Sequence, residues 1–156
     1  MPQLSAGILL HRAGERSGET EVFLVHPGGP YWARKDDGAW SIPKGLHAAE
    51  EAPEAAARRE FAEETGVAVE GDLVPLGTFR QPGGKLVTAY AARGDIDPDG
   101  IRSNSFTMEW PPRSGRMAEF PEVDRGGWFD LATAAEKILK GQRPILEALR
   151  TLLAPD

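Results

Sequence analysis

The side chains best suited to chemistry in this chain are Glu60, Glu63 and Glu64, which lie in and just after the run EAAARREF. Spacings of three and four residues bring side chains onto one face of an α-helix. The run is made of strong helix formers. Pro53 suits a first helical turn, where its missing N–H is no loss, and Gly66 can take the left-handed conformation that ends a helix. The spacing therefore predicts a helix over 53–65. On that helix each like-charged pair costs about 0.2–0.5 kcal/mol, and the carboxylates crowd the last turn, where the macrodipole disfavours anions. A divalent cation between them removes the conflict, because hard oxygen donors are what Mg²⁺ binds. Arg59, one turn before Glu63, can hold that carboxylate in place, and Ala56 and Ala57 are small enough to let a neighbouring loop approach the acidic face. The competing reading is a solvated acidic helix end with no ligand.

The flanks of the helix separate these readings. Gly45, Glu51, Arg59, Glu60, Phe61, Glu63, Glu64, Gly66 and Val67 fall on G-x5-E-x7-R-E-U-x-E-E-x-G-U without insertion or deletion, U being bulky and apolar. This pattern resembles the Nudix box, and Trp40-Ser41-Ile42-Pro43-Lys44 is similar to the approach to that box in many family members. Phe61 is aromatic where the family more often has an aliphatic residue, at a position that packs on the sheet. The resemblance implies an α+β fold, the family's α/β/α sandwich with a mixed sheet and a loop–helix–loop metal site. It implies Mg²⁺ (or Mn²⁺) as cofactor, with Glu60, Glu63 and Glu64 as ligands and the Gly45 carbonyl as a further oxygen. Glu51 and Arg59 are then expected to support catalysis by linking loop and helix, and Glu63 to serve in catalysis as well as in ligation.

The implied activity is cleavage of a diphosphate linkage in a nucleoside diphosphate joined to another group. A nucleoside triphosphate, a dinucleoside polyphosphate and a nucleotide sugar such as ADP-ribose all fit. Bound cations neutralise phosphate oxygens and lower the pKa of an attacking water, and a carboxylate within reach takes its proton. The alternative is a non-catalytic Nudix-fold module that senses a nucleotide without cleaving it. Such a module is expected to lose box carboxylates, and none is missing here.

Family members often take one more acidic group from a loop beyond the box, as ligand or base. Counting back from Trp128, which is similar to the family's tryptophan on the last strand, Glu122 is the first candidate, Glu119 the second and Glu109 the third. Lys44, beside the metal loop, is a candidate phosphate contact. Arg34 and Arg116 are candidate substrate contacts, alongside Lys35 and Arg113, with Tyr31 or Trp32 as candidate base-stacking rings. Pro82 stands past Val67 at a spacing associated with ADP-ribose hydrolysis in some Nudix enzymes, which a hairpin turn explains equally well. Tyr90 lies beyond the tyrosine spacing associated with dinucleoside polyphosphate hydrolases. The absence of cysteine argues against the family's isopentenyl diphosphate isomerase branch. Asp95 to Gly100 copies the opening of a calcium loop, but Phe106 replaces the closing glutamate and no helices flank it, so it reads as an Asp-rich turn. His11, His26 and His47 show no metal-ligand spacing; His26 and His47 fall in segments that can lie near the site, but each taken singly reads as an ordinary loop or strand residue.

The elements that must position these residues are legible as patterns. Residues 3–11 and 21–26 read as strands joined by a polar hairpin loop, and 27–38 as an exposed loop rich in turn formers. Residues 73–81 and 85–92 flank Pro82-Gly83-Gly84 and suggest a second hairpin. The four prolines within 98–121 predict a long loop around a short strand at 105–110. GGWFD reads as a last strand, followed by TAAEKILK and RPILEALRTLL as one or two helices with leucines at helical spacing.

With 156 residues the whole chain, 1–156, reads as one domain. No apolar run reaches the roughly 20 residues needed to span a bilayer, and the start lacks the basic leader of a signal peptide. A formal charge of −6 argues against a nucleic-acid duplex as partner, which leaves a small nucleotide or nucleotide derivative. Zero cysteines exclude disulfides and thiolate sites, and a cytoplasmic location is the default expectation.

Overall fold

The computed structural model describes residues 2–15 and 18–154. Its centre is a mixed sheet in the order β4-β5-β1-β2-β8, formed by Val74–Arg80 (β4), Leu86–Arg93 (β5), Leu4–Ala13 (β1), Thr20–Pro27 (β2) and Val123–Asp130 (β8). β1 and β5 run parallel, and the other pairs along the sheet are antiparallel. Three helices cover it: Pro53–Thr65 (α1), Leu131–Lys137 (α2) and Arg143–Leu153 (α3).

Alternation along the strands builds two apolar layers. Ala6, Ile8, Leu10, Phe23, Val25, Tyr90 and Ala92 point one way and pack with Ala56, Ala57 and Phe61 of α1. Leu9, Val22, Leu24, Val87, Ala89 and Ala91 point the other way and pack with Ala134, Ile138, Ile145, Leu146 and Leu149. Helix, sheet and helices thus form the expected α/β/α sandwich. Ala56 and Ala57 are fully buried in it, so their small size lets α1 lie close on the sheet. No helix among the described residues is long and apolar enough to cross a membrane.

The local detail that matters for the site is a split between β1 and β2. The two strands pair only near His11–Ala13 and Thr20–Val22. Where they part, residues 41–46 fill the gap. Ser41 and Val25 exchange main-chain hydrogen bonds at 3.0 and 2.9 Å, and Ile8 N donates to the Pro43 carbonyl at 3.1 Å. Lys44–Leu46 then forms a short strand, β3, antiparallel to β1, with Ala6 opposite Gly45. The sequence pattern does not show this strand, because a three-residue insert has no periodicity to read.

The second departure lies in 98–121. Instead of a loop around one strand, Ser105–Glu109 (β6) and Met117–Pro121 (β7) pair antiparallel as a separate two-stranded sheet, with Phe106 opposite Phe120. Three of the four prolines sit at its tip and its end: Pro111, joined to Trp110 by a cis bond, and Pro112 lie in the connection and Pro121 closes β7, while Pro98 opens a 3₁₀ turn before β6. Proline is tolerated at an edge or end of a sheet, where no ladder N–H is needed.

Candidate active site

The site is assembled around α1. Its C-terminal end closes at Gly66, with φ of 78° and its N–H donating to the Ala62 carbonyl at 2.8 Å. Arg59 joins helix and loop. It donates to both carboxylate oxygens of Glu51 at 2.9 and 3.1 Å, to Glu60 at 2.8 Å and to Glu63 at 3.3 Å. A further bond reaches the Leu46 carbonyl at 3.4 Å. The supporting role expected of Glu51 and Arg59 therefore has a direct geometric basis. Arg59 also relieves part of the repulsion between Glu60 and Glu63.

Glu60 is buried, and its carboxylate lies so close to the Gly45 backbone that a Cβ there would collide with it. Glycine at 45 is thus what allows the loop to meet the helix. Glu64 points toward the same loop and accepts the Lys44 main-chain N–H at 3.3 Å. Lys44, Glu64 and Glu122 line one cavity of about 220 Å³, together with Ser41 and Trp32.

Glu122 reaches this place through a ladder of main-chain bonds. Asn104 N donates to the Glu63 carbonyl at 2.9 Å, Glu122 N to the Asn104 carbonyl at 2.8 Å, and Gly28 N to the Glu122 carbonyl at 2.9 Å. The ladder ties the end of α1, the extra carboxylate and the 27–38 loop into one unit. Glu119 is exposed on β7 opposite Thr107, and Glu109 accepts the Arg113 N–H at 2.7 Å; neither lines this cavity. Arg34 and Arg116 are both exposed, and neither lines this cavity.

The electrostatics show an excess of negative charge. Burial pushes the Glu64 carboxyl up to about 8, against the Lys44 main-chain bond that favours its ionised form. Burial also raises Glu60, opposed by the Arg59 hydrogen bond and reinforced by Glu63, and burial with Glu63 raises Glu122. Lys44 is pushed down by burial, against the pull of Glu64. Among the described residues, Arg59 pairs with Glu51, Glu60 and Glu63, and Lys44 lies beside Glu64 and Glu60.

Hard, crowded and partly desolvated carboxylate oxygens are donors that suit Mg²⁺ or Mn²⁺. The chemistry of the donor set therefore fits the cofactor expected. Among the described residues, no three acidic or imidazole side chains form a finished metal cage on their own. Glu60 and Glu63 are instead turned onto Arg59.

A model of the NUDIX domain matches residues 1–149. The chain belongs to the Nudix family. With its box carboxylates in place, its enzyme class is that of the family's pyrophosphohydrolases. None of the curated proteins searched matches the sequence. Among solved structures, an Ap4A hydrolase from C. elegans in a binary complex is similar at 20% identity, with a TM-score of 0.66 over 96% of this chain and 97% of that one. The NUDIX domain of Shewanella oneidensis NrtR complexed with ADP ribose is similar at 19% identity, with a TM-score of 0.67 over 99% and 90%. A MutT/nudix family protein from Listeria innocua is 18% identical, with a TM-score of 0.61 over 98% and 95%. These likenesses are of fold.

Two residues of this Nudix site gain their roles only in three dimensions. His26 is fully buried, sharing a hydrogen bond between Nδ1 and Asp124 Oδ1 at 2.8 Å, while Nε2 meets the Lys35 carbonyl at 2.6 Å. It fastens the 27–38 loop to the start of β8. Gln142, also fully buried, accepts the Ile42 N–H at 3.0 Å and donates to Ser41 Oγ at 2.9 Å. It holds the segment that carries Lys44 and Gly45. A polar residue between two apolar helical runs was the only trace of Gln142 in the sequence, and His26 is the one polar position in EVFLVH that falls at the loop edge.

The remaining sequence signals have structural explanations. Asp95 accepts from Arg12 at 2.7 Å and Asp97 caps Asp99 N at 3.0 Å, as an Asp-rich turn does. Pro82 opens a 3₁₀ turn between β4 and β5 and packs near Gly141.

Proposed function

We propose that this chain, as one domain over 1–156, is a Mg²⁺-dependent (or Mn²⁺-dependent) pyrophosphohydrolase of a small nucleotide or nucleotide derivative. Its substrate would be a nucleoside triphosphate, a dinucleoside polyphosphate or a nucleotide sugar such as ADP-ribose. The observation that carries the reading is the convergence of Glu64, Glu122 and Lys44 on one cavity, with Glu60 and Glu63 close enough to add to burial in raising the pKa of those carboxyls. The names of two structural neighbours, an Ap4A hydrolase and a domain complexed with ADP ribose, are compatible with ligands of this kind.

In this reading Glu60, Glu63, Glu64 and Glu122, with the Gly45 carbonyl, hold the cation. A divalent ion bound there neutralises phosphate oxygens and lowers the pKa of the attacking water. The residues of the chain do the rest. Lys44 contacts a phosphate oxygen from the cavity wall. Glu122 or a box glutamate accepts the proton of the water. Arg59 and Glu51 keep loop and helix in register. Because the diphosphate reacts by in-line displacement, positioning and charge neutralisation supply most of the catalysis.

Phosphate release measured across a nucleotide panel, with and without Mg²⁺, tests this. Turnover should depend on the metal and fall by several orders of magnitude in Glu63→Gln and in Glu64→Gln, with circular dichroism unchanged. A rate near wild type in either variant would refute the assigned roles. Tight nucleotide binding with no turnover of any panel member would instead establish the sensing module.

A further inference from the structure

Part of the wall of the carboxylate cavity is made by Trp32, Ala39 and Leu139. Trp32 and Ala39 belong to the chain between β2 and β3, and Leu139 follows α2. Main-chain bonds join the two stretches. Gly38 N donates to the Glu136 carbonyl at 3.0 Å, Trp40 N to the Lys137 carbonyl at 2.9 Å and Leu139 N to the Trp40 carbonyl at 2.8 Å. The end of α2 and residues 38–40 therefore form one ledge beside the cavity.

Between Trp32 and Ala39 the chain turns through Lys35, Asp36 and Asp37. Lys35 N donates to the Trp32 carbonyl at 3.0 Å, and Ala39 N to the Asp36 carbonyl at 3.0 Å. A shift of this elbow is thus passed to both wall residues. Side chains grip it from several elements. Lys137 Nζ donates to Asp36 Oδ2 at 2.6 Å and lies 3.0 Å from Asp37 Oδ1. The other Asp36 oxygen accepts the Trp40 indole N–H at 2.8 Å, and His26 Nε2 meets the Lys35 carbonyl at 2.6 Å. Asp36 and then Asp37 hold the Lys137 ammonium above its ordinary range, and Lys137 with the Trp40 N–H holds the Asp36 carboxyl below the usual carboxylate range. Both aspartates are more than half exposed, at 55% and 71%. Exposed ion pairs contribute little to fold stability because solvent screens them. The placement of this one, on the elbow between two wall residues, gives it something else to do.

We infer that Lys137 is a positioning residue for substrate binding: by pairing with Asp36 and Asp37 it holds the elbow, so that Trp32 and Ala39 already stand at the cavity wall in the free protein. The inference rests on the nucleotide reading above and names what keeps that site in shape. A ligand that meets an ordered wall does not have to order it on binding. Without Lys137 the elbow samples other positions, and apparent affinity falls in proportion to the fraction of molecules whose wall is in place. The box carboxylates stand on α1, a different element, so a substrate once bound reacts as before.

The test is calorimetric binding of α,β-methylene-ADP with Mg²⁺ to the full chain, alongside steady-state turnover of the fastest nucleotide in the panel. Lys137→Met keeps an apolar stem but loses the charge. It should raise Kd and KM together by about tenfold, while kcat stays within about twofold of wild type. Lys137→Arg, which keeps the charge, should bind within about threefold of wild type. Adding Asp36→Asn to Lys137→Met should weaken binding by less than a further factor of about two, because the partners act as one unit. The Tm of Lys137→Met should stay within about 4 °C of wild type.

Wild-type Kd in Lys137→Met would overturn the inference. So would equal losses in kcat and affinity with a Tm lowered well beyond that range, since these mark general damage to the fold. Weaker binding in Lys137→Met, with no nucleotide turned over by wild type, would support the positioning role and refute the hydrolase. Metal-dependent hydrolysis with an unchanged Kd in the variant would do the reverse. A wild type that neither binds the analogue nor cleaves any nucleotide would overturn both.

Discussion

Replacing Gln142 by methionine isolates the polar contacts of a buried side chain from its volume. Gln142 is fully buried and carries two bonds, accepting from Ile42 N at 3.0 Å and donating to Ser41 Oγ at 2.9 Å. Methionine fills nearly the same space but offers Ile42 N–H no comparable acceptor. Ile42 is itself fully buried, so water does not replace the lost partner. Leaving a buried donor unsatisfied costs about 1–3 kcal/mol, and losing the net contribution of the second bond adds about 0.5–1.5 kcal/mol. Ser41 Oγ retains its bond to the Ile42 carbonyl at 2.7 Å, which favours the lower part of that second range. The total is about 1.5–4 kcal/mol, or a Tm lower by about 3–16 °C for a domain of this size. Gln142→Ala should fall further, because it adds a cavity. Differential scanning calorimetry measures both. Turnover assayed well below Tm should also drop, by up to about 100-fold, since Ser41 and Ile42 anchor the strand bearing Lys44 and Gly45. A Tm for Gln142→Met within 2 °C of wild type, taken as about the least shift a measurable loss would give, would refute the claim that this residue pins the loop.

Gly45→Ala places a methyl group against the Glu60 carboxylate. The carboxylate can swing aside, so the fold should survive while the Mg²⁺ concentration for half-maximal activity rises about 10–100-fold; an unchanged metal titration would argue against Glu60 and Gly45 acting together. Asp130 caps α2 by accepting the Thr133 N–H at 2.7 Å, and that bond holds its carboxyl below the usual carboxylate range. Asp130→Ala should cost about 1 kcal/mol. The sign follows from the lowered folded pKa: the cap's charge-dependent contribution is complete above the unfolded value, near pH 4, and is lost as pH falls through the folded one. Urea melts of wild type and variant at pH 7 should differ, and the gap should shrink below about pH 4; a gap of constant size would exclude the ionised cap.

Much of the site was legible in the sequence because it is local. Glu60, Glu63 and Glu64 share a helix face through spacing alone, and Pro53 and Gly66 bound that helix in the structure as the pattern predicts. The Arg59–Glu51 link was expected from the box resemblance, and the strands with clear alternation recur within a few residues of their expected limits. Glu122 was ranked first by counting back from Trp128, but its delivery depends on main-chain bonds through Asn104 and Gly28 that no side-chain pattern encodes.

Sequence alone sets which carboxylates are adjacent on the helix and that they repel one another. Local spacing settles this because an α-helix brings residues three and four apart together whatever surrounds it. Everything that depends on chain segments meeting from a distance is fixed by tertiary packing instead. The split between β1 and β2 admits β3, Gln142 reaches back across 100 residues to hold the chain leading into it, and β6 meets the 27–38 loop across a cavity lined by Trp32 and Phe106. Such contacts come from the packing of whole elements, whose register is set by buried apolar faces and not by any short run of residues.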